Sequence, residues 1–403
     1  NTAGRDLGVS GRIGVRRKWG KTTLTASLFE QKVGLFSGAT GIPRAYQLNH
    51  DGDYRNIDLP HQQNRHVKLI SNTEIRNHET TYRLDIGVQQ NLRLEESVPH
   101  VHGYRPQPED STALGLNLWT VNGTFRMDRE VSHRLSYSAG LSGLYMQNSR
   151  SGFEYLIPSF VSSQGGVFGY GSWKANERVT FNGGARIEVA DRSLNGFSET
   201  VYDAELQVIG SRERTPDIDR QFVGWALATG IVISGRTTDV HINLSRSFRF
   251  PAPNELGMNG VHHGTFRHEQ GDATLNMEEG YHSDIQFRLE QGAHSLNAGA
   301  YFNFFTNYIY LGTTAQFSPL PEAGAIYRYQ QDPATHTGFE LDYIWEMPAD
   351  LEFSVSAAYI YTYNFTSTLS LPFMPPFNVR PELRYQPSWG KEDRWSGNVA
   401  VSW

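Results

Sequence analysis

The chain has 403 residues, a formal charge of −6 and a charged fraction of 19%. Its Lys and Arg residues are scattered rather than clustered, which excludes the basic patch of a nucleic-acid binder. With no cysteine, neither a disulfide framework nor a thiolate metal site can form. Mean hydropathy is −0.49, and no stretch approaches the roughly eighteen apolar residues of a membrane helix. A membrane barrel escapes that test, because only alternate residues of its strands meet lipid.

Residues 6–18 and 22–36 read as two alternating runs joined by the tight turn KWGK. A long polar loop over 37–64 follows, carrying His50, Asp51, Asp53, Asp58 and His61. Residues 66–76 and 82–94 form the next pair, across NHET. Here Tyr82, Leu84, Ile86 and Val88 fall on one side and Arg83, Asp85, Gly87 and Gln89 on the other. A loop over 95–111 contains PHVHGYRPQPED. Residues 113–126 then pair with 133–147, and 165–174 with 178–190, before a loop that runs from 191 to about 220. Residues 221–233 and 239–248 pair through SGRTT, and a long polar segment with two prolines and three histidines leads on to Tyr281. The last pairs are 281–289 with 295–310, 326–345 with 351–365, and 378–385 with 395–403.

The result is about sixteen strands in which short turns and long loops alternate strictly, the layout of an all-β, antiparallel transmembrane β-barrel. In lipid every backbone amide needs a partner, so a sheet must close. The faces agree: Leu351, Phe353, Val355, Ala357, Tyr359 and Tyr361 stand opposite Glu352, Ser354, Ser356 and Thr362. A soluble propeller or sandwich fits less well, because there is no fixed period and the strands exceed the usual five or six residues. With no initiator Met at Asn1, the chain is expected to be an internal or trimmed piece.

After Ser247 the residues carry a resemblance. Phe248-Arg249-Phe250-Pro251, then Asn254-Glu255-Leu256, resembles the Phe-Arg-x-Pro and Asn-Glu-Leu box of TonB-dependent outer-membrane receptors. Gly271-Asp272-Ala273-Thr274-Leu275-Asn276-Met277-Glu278 is similar to that family's Gly-Asn/Asp-Pro-x-Leu-x-x-Glu box, with Ala273 in place of proline. Gly338-Phe339-Glu340 matches the later strand, where a glycine precedes an aromatic. The resemblance implies that residues 1–403 are an incomplete stretch of a 22-stranded barrel, with an N-terminal plug and terminal strands outside the chain. It implies outer-membrane lipid as surroundings, the inner-membrane TonB complex as partner through that plug, and a small-molecule or metal ligand.

Seven of the fourteen histidines fall in the long loops: His50, His61, His100, His102, His262, His263 and His268. In extended chain His100 and His102 project to the same side. His262 and His263 lie near Glu269 and Asp272; imidazole with carboxylate suits zinc, nickel, copper or iron. Haem receptors of the resembled family carry a histidine between the two boxes, which makes His262 or His263 the candidate axial ligand. Solvated loop histidines without a metal role are the plainer reading. Arg83, Arg93, Arg186, Arg246 and Arg249 are candidates to face the lumen, either attracting an anionic chelate or pairing with lumen carboxylates. His78, His133 and His294 read as turn residues.

There is no Gly-x-Ser-x-Gly elbow, and nothing points to an enzyme. The expectation is a receptor for energy-coupled uptake of a metal or metal chelate (ferric siderophore, haem or zinc), with no intrinsic cofactor. A passive porin-like channel is the competing reading, and a surface adhesin or a lipid-modifying barrel enzyme a weaker third; the two boxes favour the receptor.

Overall fold

The computed structural model describes residues 3–35, 53–262, 265–320, 323–385, 388–389, 393–394 and 397–400. The wall opens with β1 (Gly4–Arg17), β2 (Gly20–Gly34), β3 (His61–Asn77) and β4 (Thr80–Glu96). It continues through β5 (Thr112–Ser132), β6 (Leu135–Ser151), β7 (Phe160–Lys174) and β8 (Val179–Leu194). The long connection after β8 folds as a hairpin of its own, β9 (Phe197–Tyr202) and β10 (Val208–Thr215), before β11 (Ile218–Ser234) and β12 (Thr238–Arg249) resume the wall. The next connection holds the short helix α1 (Pro253–Gly257) and the strands β13 (Asn259–His262) and β14 (Arg267–Gln270). Then come β15 (Glu278–Gln291), β16 (His294–Phe317), β17 (Ala325–Met347), β18 (Leu351–Asn364) and β19 (Asn378–Tyr385). A two-residue pair, β20 (Ser388–Trp389) and β21 (Asp393–Arg394), precedes β22 (Gly397–Ala400).

Leaving aside β9, β10, β13, β14, β20 and β21, sixteen described strands make one antiparallel meander, each paired to its neighbour in the order given. Even-to-odd connections are long and odd-to-even ones short, so the long loops gather at one rim. The expected all-β, antiparallel architecture is therefore the observed one. Two expectations need correction. The stretch from 191 to 220 is not a plain loop, because β8 runs on to Leu194 and a hairpin fills most of the remainder. Several wall strands also reach further than the alternating pattern, β16 ending at Phe317. Alternation reports lipid contact and stops at the membrane boundary, whereas the backbone ladder continues for as long as a neighbour offers partners.

Register lines up the lipid face. Leu84, Phe125, Leu141, Val167, Ile187 and Trp225 stand directly opposite one another across β4 to β8 and β11. Each is between 41% and 55% exposed, a continuous apolar row around the wall. The opposite face is polar and cross-braced. Arg83 bonds Glu74 at 3.3 Å and also Asp128, Ser138 donates to Asp128 at 2.6 Å, and Arg186 bonds Glu188 and Ser142. Arg93 pairs with Glu95. Arg246 departs from the expectation: its register beside Leu227 and Tyr281 turns it to the outer face, where its guanidinium lies 3.8 Å from the Trp225 ring centroid and pairs with Glu279 at 2.8 Å.

Ile187 sits near the middle of the lipid-facing row, where a buried cation has no aqueous escape. Ile187→Arg is expected to destabilise the barrel by about 2–4 kcal/mol, read as a lower denaturant midpoint for the folded, heat-modifiable species.

Candidate metal centre in the outer loops

Four consecutive long loops at one rim build the site. In the β4–β5 loop the His100 imidazole is held by its own backbone: Nδ1–H donates to the Val98 carbonyl at 2.8 Å. That bond fixes the tautomer and leaves the Nε2 lone pair free to act as an acceptor. Nε2 is buried without a hydrogen-bond partner and lies 3.7 Å from Glu154 Oε1. His102 Nε2 approaches the same oxygen at 3.6 Å, and the two rings meet edge to face with centroids 4.9 Å apart. The three ligand atoms lie within 4.8 Å of one another. A bare imidazole lone pair against a carboxylate sets two acceptors face to face in a poorly solvated corner, an arrangement that a cation or proton between them relieves. Two imidazoles and one carboxylate is a donor set that suits zinc or copper and leaves a coordination position open.

Glu154 is held by its backbone. Its N–H donates to Ala113 O at 2.8 Å, and its carbonyl accepts from Arg150 Nη1 at 3.2 Å. Next to it Tyr155 stacks on Phe197 of β9 with centroids 4.3 Å apart, and its hydroxyl donates to Thr215 Oγ1 at 2.7 Å. Thr215 donates in turn to the Gly257 carbonyl of α1 at 2.9 Å. Beside the histidines opens a cavity of about 390 Å³ lined by Glu154, Phe153, Phe197, Arg105, Glu199 and Arg214 among others. Glu199 accepts from Arg105 at 2.8 Å, from Arg214 at 3.0 Å and from Arg212 at 3.1 Å. Burial alone would raise the Glu199 carboxyl, but Arg214, Arg105 and Arg212 outweigh it and hold it below the usual carboxylate range.

The two sequence boxes form the anchor beneath these loops. Arg249 Nη1 donates to both oxygens of Glu255 at 2.9 and 2.8 Å, and its Nη2 to Glu278 at 3.1 Å. Glu255 also accepts the Ala252 N–H at 2.8 Å, and Glu278 the Ile309 N–H at 2.8 Å. Leu256 and Leu275 bury into a cluster with Phe160, Leu194, Ile218 and Ile309. Pro251 is buried, and its carbonyl accepts from Arg192 at 3.2 Å; Asn254 donates to the Tyr329 hydroxyl at 3.1 Å. Gly271 passes so close to α1 that a Cβ there would lie 2.7 Å from Gly257 N. Asp272 donates its N–H to Glu255 O at 2.8 Å and caps the turn through Thr274. A Cβ on Gly338 would lie 2.3 Å from Tyr359 O, so that position in the wall demands glycine.

The description "TonB dependent receptor-like, beta-barrel" matches residues 6–403. The chain belongs to this family. No curated protein matches it in sequence. Among solved structures, the receptor barrel is similar to "Copper transporter OprC", with a TM-score of 0.75 at 14% identity over 98% of this chain and 58% of that one. It is also similar to the siderophore receptor PirA from Acinetobacter baumannii (TM-score 0.64, 10% identity, 100% and 64% covered). The FrpB iron transporter from Neisseria meningitidis, F3-3 variant, gives 0.63 at 10% identity, with 95% and 57% covered. Such identities establish a shared fold. The chain spans about three fifths of the length of these structures.

Within the receptor, the expected site residues part company. His100 and His102 converge as a pair, on a carboxylate from another loop. His268 is buried with both ring nitrogens occupied, Nε2–H donating to Asn259 Oδ1 at 2.7 Å and Nδ1 accepting from Ser318 Oγ at 2.8 Å. Glu269 is its neighbour on β14 and projects to the other side. His262 bonds Thr265 Oγ1 at 3.1 Å, within its own loop; it is outside the metal-competent group found among the described residues. His263 and His50 lie outside the described residues. Arg249, expected near a ligand, spends its guanidinium on Glu255 and Glu278. Phe248 packs against the Ala190, Phe222 and Phe250 cluster. Glu154, Tyr155, Glu199 and Arg214 were not singled out: each comes from a different loop from the histidines, and no sequence spacing links them.

Glu278→Ala leaves the Arg249 guanidinium and the Ile309 N–H short of a partner. A loss of about 1–3 kcal/mol from the anchor is expected, seen as faster proteolytic cleavage within residues 250–278. Burial, then Arg214 and Arg212, push His268 down to about 4 from an ordinary 6.5. Protonation is thus favoured in the unlocked loop, and stability falls as pH drops from 6.5 towards 4. At pH 5 the β13–β14 hairpin should be weaker by about 2 kcal/mol, read as faster hydrogen exchange after correction for intrinsic rates. His268→Asn should flatten that dependence.

Proposed function

We propose that this barrel belongs to a receptor that captures a divalent metal, free or chelated, at its outer loops and passes it inward by TonB-coupled movement of a plug. The observation that carries the reading is the buried His100 Nε2 facing the Glu154 carboxylate beside His102. Nitrogen and oxygen donors of this kind favour zinc or copper over a pre-saturated ferric complex. The printed names of the structural neighbours, a copper transporter, an iron transporter and a siderophore receptor, are in keeping with a metal cargo. The chemistry is capture and release, with no covalent step: the imidazoles and the carboxylate replace part of the ion's hydration shell, and release requires that one of the three donors move. Backbone anchoring of Glu154 and His100 keeps those donors in place until the loops shift.

The test is accumulation of radiolabelled zinc or copper by metal-starved cells expressing the full-length receptor, with TonB present or deleted. Uptake should require TonB and should fall at least about tenfold in His100→Ala/His102→Ala at equal surface abundance. Uptake that persists without TonB would make the barrel a passive pore, and uptake unchanged by the double substitution would remove the metal centre.

A further inference from the structure

Three guanidiniums beside a cation site are out of place if the cargo is a bare ion. Arg105, Arg212 and Arg214 share the single carboxylate of Glu199, which leaves two surplus positive charges on the wall of the cavity. A divalent ion on His100, His102 and Glu154 adds one more after Glu154 is counted. Glu154 belongs to both places, since it lines the cavity and touches both imidazoles. The low position of the Glu199 carboxyl and the neutral state of His268 both register the positive field of these arginines. Arg214 is 7% exposed and held by the Asn259 carbonyl at 2.8 Å, so it is fixed in place. Arg105 and Arg212 are more open, at 26% and 45%, and each has further N–H donors beyond the one given to Glu199.

Resting on the metal reading above, we propose that the cavity is the subsite for the anionic part of the cargo: the receptor takes a divalent metal already held by a small, oxygen-rich polyanionic chelator. The metal would sit on the two imidazoles and Glu154, with the chelator's own oxygens completing its coordination. The chelator's free carboxylates would reach Arg105 and Arg212, which offer planar forks to such groups. Aromatic walls from Phe153, Tyr155 and Phe197 exclude water and strengthen that attraction. The volume of about 390 Å³ is that of a small-molecule site. A trianion of citrate size balances the three surplus charges, whereas a bare cation increases them.

The experiment is calorimetric titration of the purified full-length receptor with zinc chloride and, separately, with zinc citrate. Zinc citrate should bind the wild type more tightly than zinc alone. Arg105→Gln/Arg212→Gln should weaken zinc citrate about tenfold or more while leaving zinc alone unchanged. Arg105→Lys/Arg212→Lys, which keeps the charge, should recover most of the loss. The proposal is overturned if the Gln variant binds zinc citrate like the wild type, or if citrate only competes zinc away from the wild type. His100→Ala/His102→Ala separates the two claims: it should abolish the zinc titration. If it leaves that titration intact, the metal centre itself fails, whatever the arginine variants show.

Discussion

A backbone amide inside lipid has no water to turn to, and everything else in this molecule follows from that constraint. It forces the wall strands into one antiparallel meander. It also permits side chains to differ on the two faces, because the ladder is indifferent to what it carries. The outer row from Leu84 to Trp225 is consequently apolar from strand to strand, and the inner face holds Arg83, Arg186 and their carboxylates. A meander of this kind delivers every long connection to the same rim. Loops distant in sequence therefore become neighbours, and a binding site can be assembled from them.

Loops of this length would not hold a site unaided, since loop entropy favours the open ensemble. Arg249 supplies the constraint by joining Glu255 of α1 to Glu278 at the start of β15. Leu256 and Leu275 bury beneath it, and Gly271 lets the chain close on α1. From there a line of hydrogen bonds runs from Gly257 through Thr215 to Tyr155, the residue after Glu154. The residues that mark the family are thus structural in this chain: they fasten the platform on which Glu154 faces His100 and His102.

The sequence made the wall legible because lipid writes a period of two into it. Tyr82 to Val88 and Leu351 to Tyr361 show that period clearly, and about sixteen strands could be read before any coordinates. Strand ends were misjudged where the ladder outlasts the apolar pattern, as at Phe317. The hairpin of β9 and β10 was missed because its side chains serve a pocket rather than a membrane, so no alternation marks it. Of the site, His100 and His102 were visible as a pair separated by one residue. Glu154 was not, because its role is fixed by the register that brings the β6–β7 loop beside the β4–β5 loop. His268 looked equivalent to the other loop histidines; only burial and its bonds to Asn259 and Ser318 separate it from them.

The most direct measurement is an anomalous-diffraction map of the full-length receptor crystallised with zinc or copper. The account predicts a peak about 2.0–2.2 Å from His100 Nε2, His102 Nε2 and a Glu154 oxygen. A receptor that binds the metal tightly yet shows its peak elsewhere, with His100 Nε2 still facing an empty corner, would contradict it.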